Sequence, residues 1–264
     1  ARINKAGERV PTAPGVAVNA IEFAGRPALE FRPEAARPGA ILFFHGGGYV
    51  LGSPGSHKPF ISRLAAALNM RAVAPDYRLA PEHVFPAAVE DGTDALDALR
   101  RQTDGPLLVA GDSAGGGLTL ASVIAHRDAG RPMPEGLYLM SPWTDLSASG
   151  ESTRAKAGAD PMLKPRYLAR GAELYLDGAD AADPAASPLF ADLGGLPPTL
   201  IQVGAREILL DDSRRLASAM ADAGVEVRCE VWEEMFHDFQ LFSPLLPEAD
   251  QALAHVKTWA GARL

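Results

Sequence analysis

The stretch Leu107-Leu108-Val109-Ala110-Gly111-Asp112-Ser113-Ala114-Gly115-Gly116 reads as a buried strand that turns sharply into a helix. Four apolar residues stop at a glycine, which favours a strand over a helix fragment. Residues 114–128 then continue as one helix. The same unit recurs on both sides. Upstream, 40–44 (AILFF) is a short apolar run that stops at His45 and three glycines, and 56–69 follows as a helix with Phe60, Leu64, Ala67 and Leu68 on one side. A strand at 70–74 leads to a helix at 86–101. Downstream come a strand at 136–140, a helix at 165–176, a strand at 199–203, a helix at 212–223, a strand at 226–232 and a closing helix at 247–260.

From residue 40 onward the order is strand, helix, strand, helix. That alternation predicts an α/β fold: a mostly parallel sheet with right-handed crossovers and helices on both faces. The strands are near-continuous apolar runs, as a sheet covered on both faces requires. Two places break the rhythm. Segments 16–23 and 27–32 alternate and predict a paired front edge. Segment 141–198 is too long for a simple connection, which predicts a cover or lid over a site. The 264 residues predict one domain.

Composition bounds the function. A hydrophobic share of 47% and a charged share of 22% are those of a soluble globular chain. A net charge of −8 argues against a nucleic-acid partner. No apolar run reaches the roughly 18 residues of a membrane span. One cysteine, Cys229, excludes an internal disulfide and a cysteine-based zinc site. With no basic-then-apolar leader in sight, it favours a cytoplasmic setting.

In an open parallel sheet, ligands lie beyond the carboxyl ends of the strands. Gly111-Asp112-Ser113-Ala114-Gly115 is G-x-S-x-G between strand and helix, which holds a serine on a tight turn where larger neighbours would collide. The bland alternative is Ser113 as a helix N-cap. A serine hydroxyl needs a base to act as a nucleophile. His237 lies in a loop just past 226–232 and is the expected base; His255 falls within the last helix, and His126 sits mid-helix as a structural residue. The acid that orients the base should follow 199–203. Glu207, Asp211 and Asp212 qualify, and Glu207 is favoured because Asp211 and Asp212 open a helix that carboxylates would cap. An oxyanion needs fixed N–H donors. Gly46, Gly47 and Ala114 are the expected ones, the first two from His45-Gly46-Gly47-Gly48. Asp112, Arg78 and Glu82 read as loop braces. Tyr49, Trp143, Leu209, Phe236 and Phe239 are candidate substrate walls, with ordinary core or rim packing as the alternative for each, and residues 160–162 are candidates for the cleft mouth.

HGGGYVLGS at 45–53, DYRLAPEHVFPAAVED at 76–91, GDSAGG at 111–116, SPWTDLS at 141–147 and SPLFADLGGLPP at 187–198 together resemble the hormone-sensitive-lipase-like family of α/β-hydrolases. The resemblance runs from about residue 16 to the end. It implies the α/β-hydrolase fold, hydrolysis of short acyl esters without metal or cofactor, Ser113 as nucleophile, His237 as base and the HGGG glycines as oxyanion donors. It also implies a possible homodimer. Two departures stand out. The family usually has Asp where this chain has Glu207, and relatives carry more residues before the first strands. Residues 1–15 are therefore expected to be a remnant of a reduced cap, with 141–198 supplying the rest. An amidase or formamidase would share the same triad. A non-catalytic receptor on this fold is disfavoured because the base His237 is present.

Overall fold

The computed structural model describes residues 10–264. Eight strands form one sheet: β1 (Val16–Phe23), β2 (Arg26–Pro33), β3 (Arg37–Phe44), β4 (Met70–Pro75), β5 (Leu107–Asp112), β6 (Gly136–Met140), β7 (Thr199–Gly204) and β8 (Val227–Trp232). Their order is β1-β2-β4-β3-β5-β6-β7-β8. β1 pairs antiparallel with β2, and β2 with β4. Every later neighbour pair is parallel. This is the expected α/β-hydrolase architecture, with the front pair as its antiparallel edge.

The helices are α1 (Pro54–Leu68), α2 (Ala87–Arg101), α3 (Ala114–Asp128), α4 (Ser152–Ala155), α5 (Pro165–Leu176), α6 (Leu210–Asp222) and α7 (Pro247–Gly261). Strand side chains alternate between the two faces of the sheet. On β3, Ala40, Leu42 and Phe44 join Leu96 and Leu99 of α2, Leu118 of α3 and Leu216 of α6. Ile41 and Phe43 face the other way, onto Phe60, Ile61 and Leu64 of α1 and Val256 and Trp259 of α7. Both faces are thus dry, which is why the strand sequences show no polar alternation.

Boundaries deviate where capping decides them. α1 starts two residues before the expected 56 because Ser53 caps it through a reciprocal pair with Ser56, and Pro54 fits its first turn. α6 begins at Leu210, so Asp211 and Asp212 lie inside its first turn and neither side chain caps it. The cap remnant expected at 1–15 falls mostly outside the described residues. Within the described part, the Ala13 N–H donates to Ser62 Oγ on α1. No helix among the described residues is long and apolar enough to cross a membrane.

Candidate active site

Five loops gather at the carboxyl ends of adjacent strands β3, β5, β6, β7 and β8. They carry His45–Gly48, Ser113, Ser141, Glu207 and His237. Adjacent strands are about 4.8 Å apart, so residues remote in sequence are brought within side-chain reach.

Ser113 stands at φ 51°, ψ −121° between β5 and α3. A non-glycine residue there is strained, by about 1–3 kcal/mol. Its side chain caps no N–H of α3, so the N-cap alternative fails. The glycines explain how the turn closes. A Cβ on Gly115 would run into the Phe44 carbonyl oxygen, and one on Gly111 into the Gly115 carbonyl.

Ser113 Oγ and His237 Nε2 are 3.0 Å apart, although the two residues are 124 positions apart in sequence. His237 Nδ1 faces Glu207 Oε1 at 3.4 Å, long for a hydrogen bond. Glu207 is fully buried, and its Oε2 accepts from Ser141 Oγ at 2.8 Å and the Gly204 N–H at 3.0 Å. The three expected triad members therefore meet. Asp211 and Asp212 stay outside. Asp211 accepts the Ser152 N–H, and Asp212 accepts the Thr144 and Asp145 N–H groups at 2.8 and 3.0 Å. The expectation that they cap their own helix is corrected: both hold the 144–152 stretch against α6.

One oxyanion expectation is also corrected. The Gly46 N–H donates to Asp112 Oδ1 at 3.0 Å and is not free for a ligand. Asp112 Oδ2 meets His57 Nε2 at 3.1 Å, so Asp112 braces the glycine turn against the serine turn, as expected of it. Gly47 and Gly48 line the pocket, and Ala114 opens α3 beside Ser113. Tyr77 Oη donates to the His45 carbonyl at 2.6 Å, while Arg78 binds Asp91 and Glu90 of α2. Glu82 is exposed at the surface and does not hold the turn.

The imidazoles are tuned apart. His45 is fully buried beside His57, and burial with that neighbour drops its pKa to about 4, so it is neutral. Burial also depresses His57, but Asp112 outweighs burial and raises it. His237 behaves similarly: burial opposes its charge, yet Asp238 and Glu207 lift its pKa well above the ordinary value. Asp238 Oδ2 lies 2.9 Å from the same Nε2 that faces Ser113. Burial pushes Asp238 up to about 7. The adjoining His237 opposes that rise.

A pocket of about 450 Å³ opens above Ser113. Its volume suits a small ligand. Trp143 lines it, as expected, together with Met162, Leu163, Tyr167, Leu168 and Gly171 from segment 141–198. Four other wall expectations are corrected. Phe239 is fully buried and packs against Trp232. Tyr49 is buried and stacks on Tyr175, with ring centroids 3.9 Å apart. Leu209 is 1% exposed and packs in the core. Phe236 backs the wall from behind, edge-on to the lining residue Phe242. His57, Ser141 and Asp238 escaped the sequence reading as site residues; only Asp238, as the neighbour of His237, carried a local signal.

A family model for the alpha/beta hydrolase fold matches residues 41–241. An esterase of Acinetobacter venetianus is 40% identical over 253 residues, 95% of this chain and 84% of its own length. The chain belongs to the hormone-sensitive-lipase-like group of the alpha/beta hydrolase family. This hydrolase is also 45% identical to an acetyl-hydrolase of Streptomyces hygroscopicus over 224 residues, 84% of this chain and 75% of that one. A solved hormone-sensitive lipase from a metagenome library superposes with a TM-score of 0.97 at 40% identity, covering 100% of this hydrolase and 91% of the other chain.

Proposed function

We propose that this carboxylic ester hydrolase is a serine carboxylesterase acting on short-chain acyl esters through an acyl-enzyme. The observation that carries the reading is the Ser113–His237–Glu207 relay at the floor of a small, mostly apolar pocket. Ser113 Oγ attacks the ester carbonyl as His237 Nε2 takes its proton. Glu207 keeps the other ring nitrogen protonated and offsets the charge of the imidazolium. The oxyanion is received by the N–H groups of Gly47, Gly48 and Ala114, since that of Gly46 is committed to Asp112. His237 returns its proton to the leaving alcohol, and water repeats the sequence on the acyl-enzyme. Segment 141–198 serves as the cap: the pocket residues it supplies bound the site and limit chain length.

The test is Ser113→Ala with a short aryl ester. Turnover falls to background while the circular dichroism spectrum is unchanged, and a serine-directed organophosphate labels the peptide containing Ser113 in the wild type alone. Retained turnover would refute the reading.

A further inference from the structure

Both ring nitrogens of His57, on α1, point at oxygen atoms. Nε2 lies 3.1 Å from Asp112 Oδ2. Nδ1 lies 3.3 Å from the Ser53 carbonyl oxygen and 2.9 Å from Ser56 Oγ. A carbonyl can only accept. The Ser56 hydroxyl donates its one proton to that same carbonyl at 2.7 Å, so it turns a lone pair towards the ring. Neither neutral tautomer suits these partners. A proton on Nε2 alone sets the Nδ1 lone pair against the Ser53 and Ser56 oxygens. A proton on Nδ1 alone sets the Nε2 lone pair against a carboxylate. The imidazolium, a donor at both nitrogens, satisfies every partner.

The surroundings admit that charge. His57 lines the pocket and is buried, which opposes the cation, but the Asp112 carboxylate against its ring outweighs burial, and Asp238 adds to it from the loop after β8. From the loop after β3, the His45 ring stands 5.7 Å away, and that imidazole is neutral. The Phe43 ring of β3, at 6.2 Å, carries no charge. Asp112 links this cation to the reaction. Its other oxygen accepts the Gly46 N–H at 3.0 Å and so sets the turn that presents Gly47 and Gly48 to the pocket.

We propose that His57 is an imidazolium in the working enzyme and a positioning residue: through Asp112 it holds the Gly46 turn, and with it the oxyanion donors, in place beside Ser113. Its part in turnover rests on the serine-esterase reading; its protonation does not. The charge is retained above the roughly 6.5 of a free imidazole and is lost as pH rises through the higher folded value. That loss breaks one end of the clamp and loosens the turn. Donors that act on the transition state then misalign, so kcat falls while KM is spared. The result is an alkaline limb in the pH–activity profile, opposite in sense to the acid limb set by His237.

Two measurements test this. Nitrogen NMR shifts of isotopically labelled imidazole rings report which ring nitrogens hold a hydrogen. They are read at about pH 8, above the roughly 6.5 of a free imidazole, in the wild type and in Ser113→Ala, with the His57 signals assigned by their loss in His57→Gln. Two protonated nitrogens are expected in both proteins, and one bare nitrogen overturns the proposal. Next, kcat and KM are followed against pH on one neutral short ester for wild type, His57→Gln and His57→Ala. His57→Gln keeps a donor for Asp112 and should lower kcat about 10-fold at neutral pH, and His57→Ala about 100-fold, each with KM within about 2-fold. Both variants should lack the alkaline limb. A limb that persists at the wild-type midpoint in either variant, or an unchanged kcat, overturns the positioning role even where stability drops. So does a wild-type kcat that stays level while the ring signals record loss of the proton. Turnover surviving Ser113→Ala would overturn the serine reading and leave the His57 proton where the ring signals put it.

Discussion

Ser141 Oγ donates to Glu207 Oε2 at 2.8 Å and accepts the Asp238 N–H at 3.2 Å. One buried hydroxyl at the end of β6 thus ties the acid loop after β7 to the histidine loop after β8. Ser141 does not touch the reacting atoms; it positions the groups that do. Ser141→Ala should lower kcat about 10-fold with KM nearly unchanged, because it removes alignment and not binding. Steady-state kinetics on one short ester separates these; a change in KM alone would deny the positioning role.

Glu207 and Asp211 offer a sharp comparison. Glu207→Gln leaves the relay without its negative charge and should reduce kcat by about 10³–10⁴-fold. Asp211→Asn perturbs only the Ser152 contact. Its activity should remain within about 3-fold, with a small loss of stability. The opposite ranking in matched assays would transfer the acid role to Asp211.

The acid limb of the pH–activity profile reports His237 with Asp238. A base must be neutral to act, and carboxylates hold the His237 pKa well above the ordinary value. Activity should therefore decline as pH falls through a midpoint higher than the roughly 6.5 of a free imidazole. Asp238→Asn removes one of those carboxylates and should move the midpoint to lower pH. A midpoint unaffected by this variant in a kcat/KM profile would show that Asp238 does not bear on the base.

Asp212 supplies a stability prediction. Burial raises its pKa to about 7, with Asp145 adding to the effect and two backbone N–H bonds opposing it. A carboxyl raised on folding contributes stability that is complete below the unfolded value and is lost as pH climbs through the folded one. Between pH 5 and pH 8 this group should cost about 2–3 kcal/mol. Asp212→Asn keeps an oxygen for the Thr144 and Asp145 N–H groups and should lose correspondingly less stability over that range. Urea melts at both pH values measure the difference, and equal losses in the two proteins would disprove it.

Tyr49 and Met162 separate core from wall. Tyr49 is 1% exposed and stacked on Tyr175, so Tyr49→Ala should destabilise by about 3–5 kcal/mol. Met162 lines the pocket and is 47% exposed. Met162→Ala should shift the preferred acyl or alcohol size while stability changes by less than about 1 kcal/mol. Thermal melts alongside a chain-length series distinguish the two.

Local chemistry made much of this protein legible in advance. Apolar runs ending in glycine marked β3 and β5, and G-x-S-x-G announced a serine on a turn. The order of loops then brought Ser113, Glu207 and His237 forward, because strand ends in a parallel sheet share one rim. Sequence alone determined the layers, the rim and the residue types available there. Tertiary structure alone decided which of those groups are already spoken for. Gly46 spends its N–H on Asp112 across 66 residues, and Asp212 spends its carboxylate on the chain 67 and 68 residues before it. It also turned Tyr49 inward to Tyr175 and set Asp238 beside His237. Periodicity and turn chemistry depend on neighbours along the chain. Hydrogen-bond partnership and pocket exposure depend on what the fold brings across space.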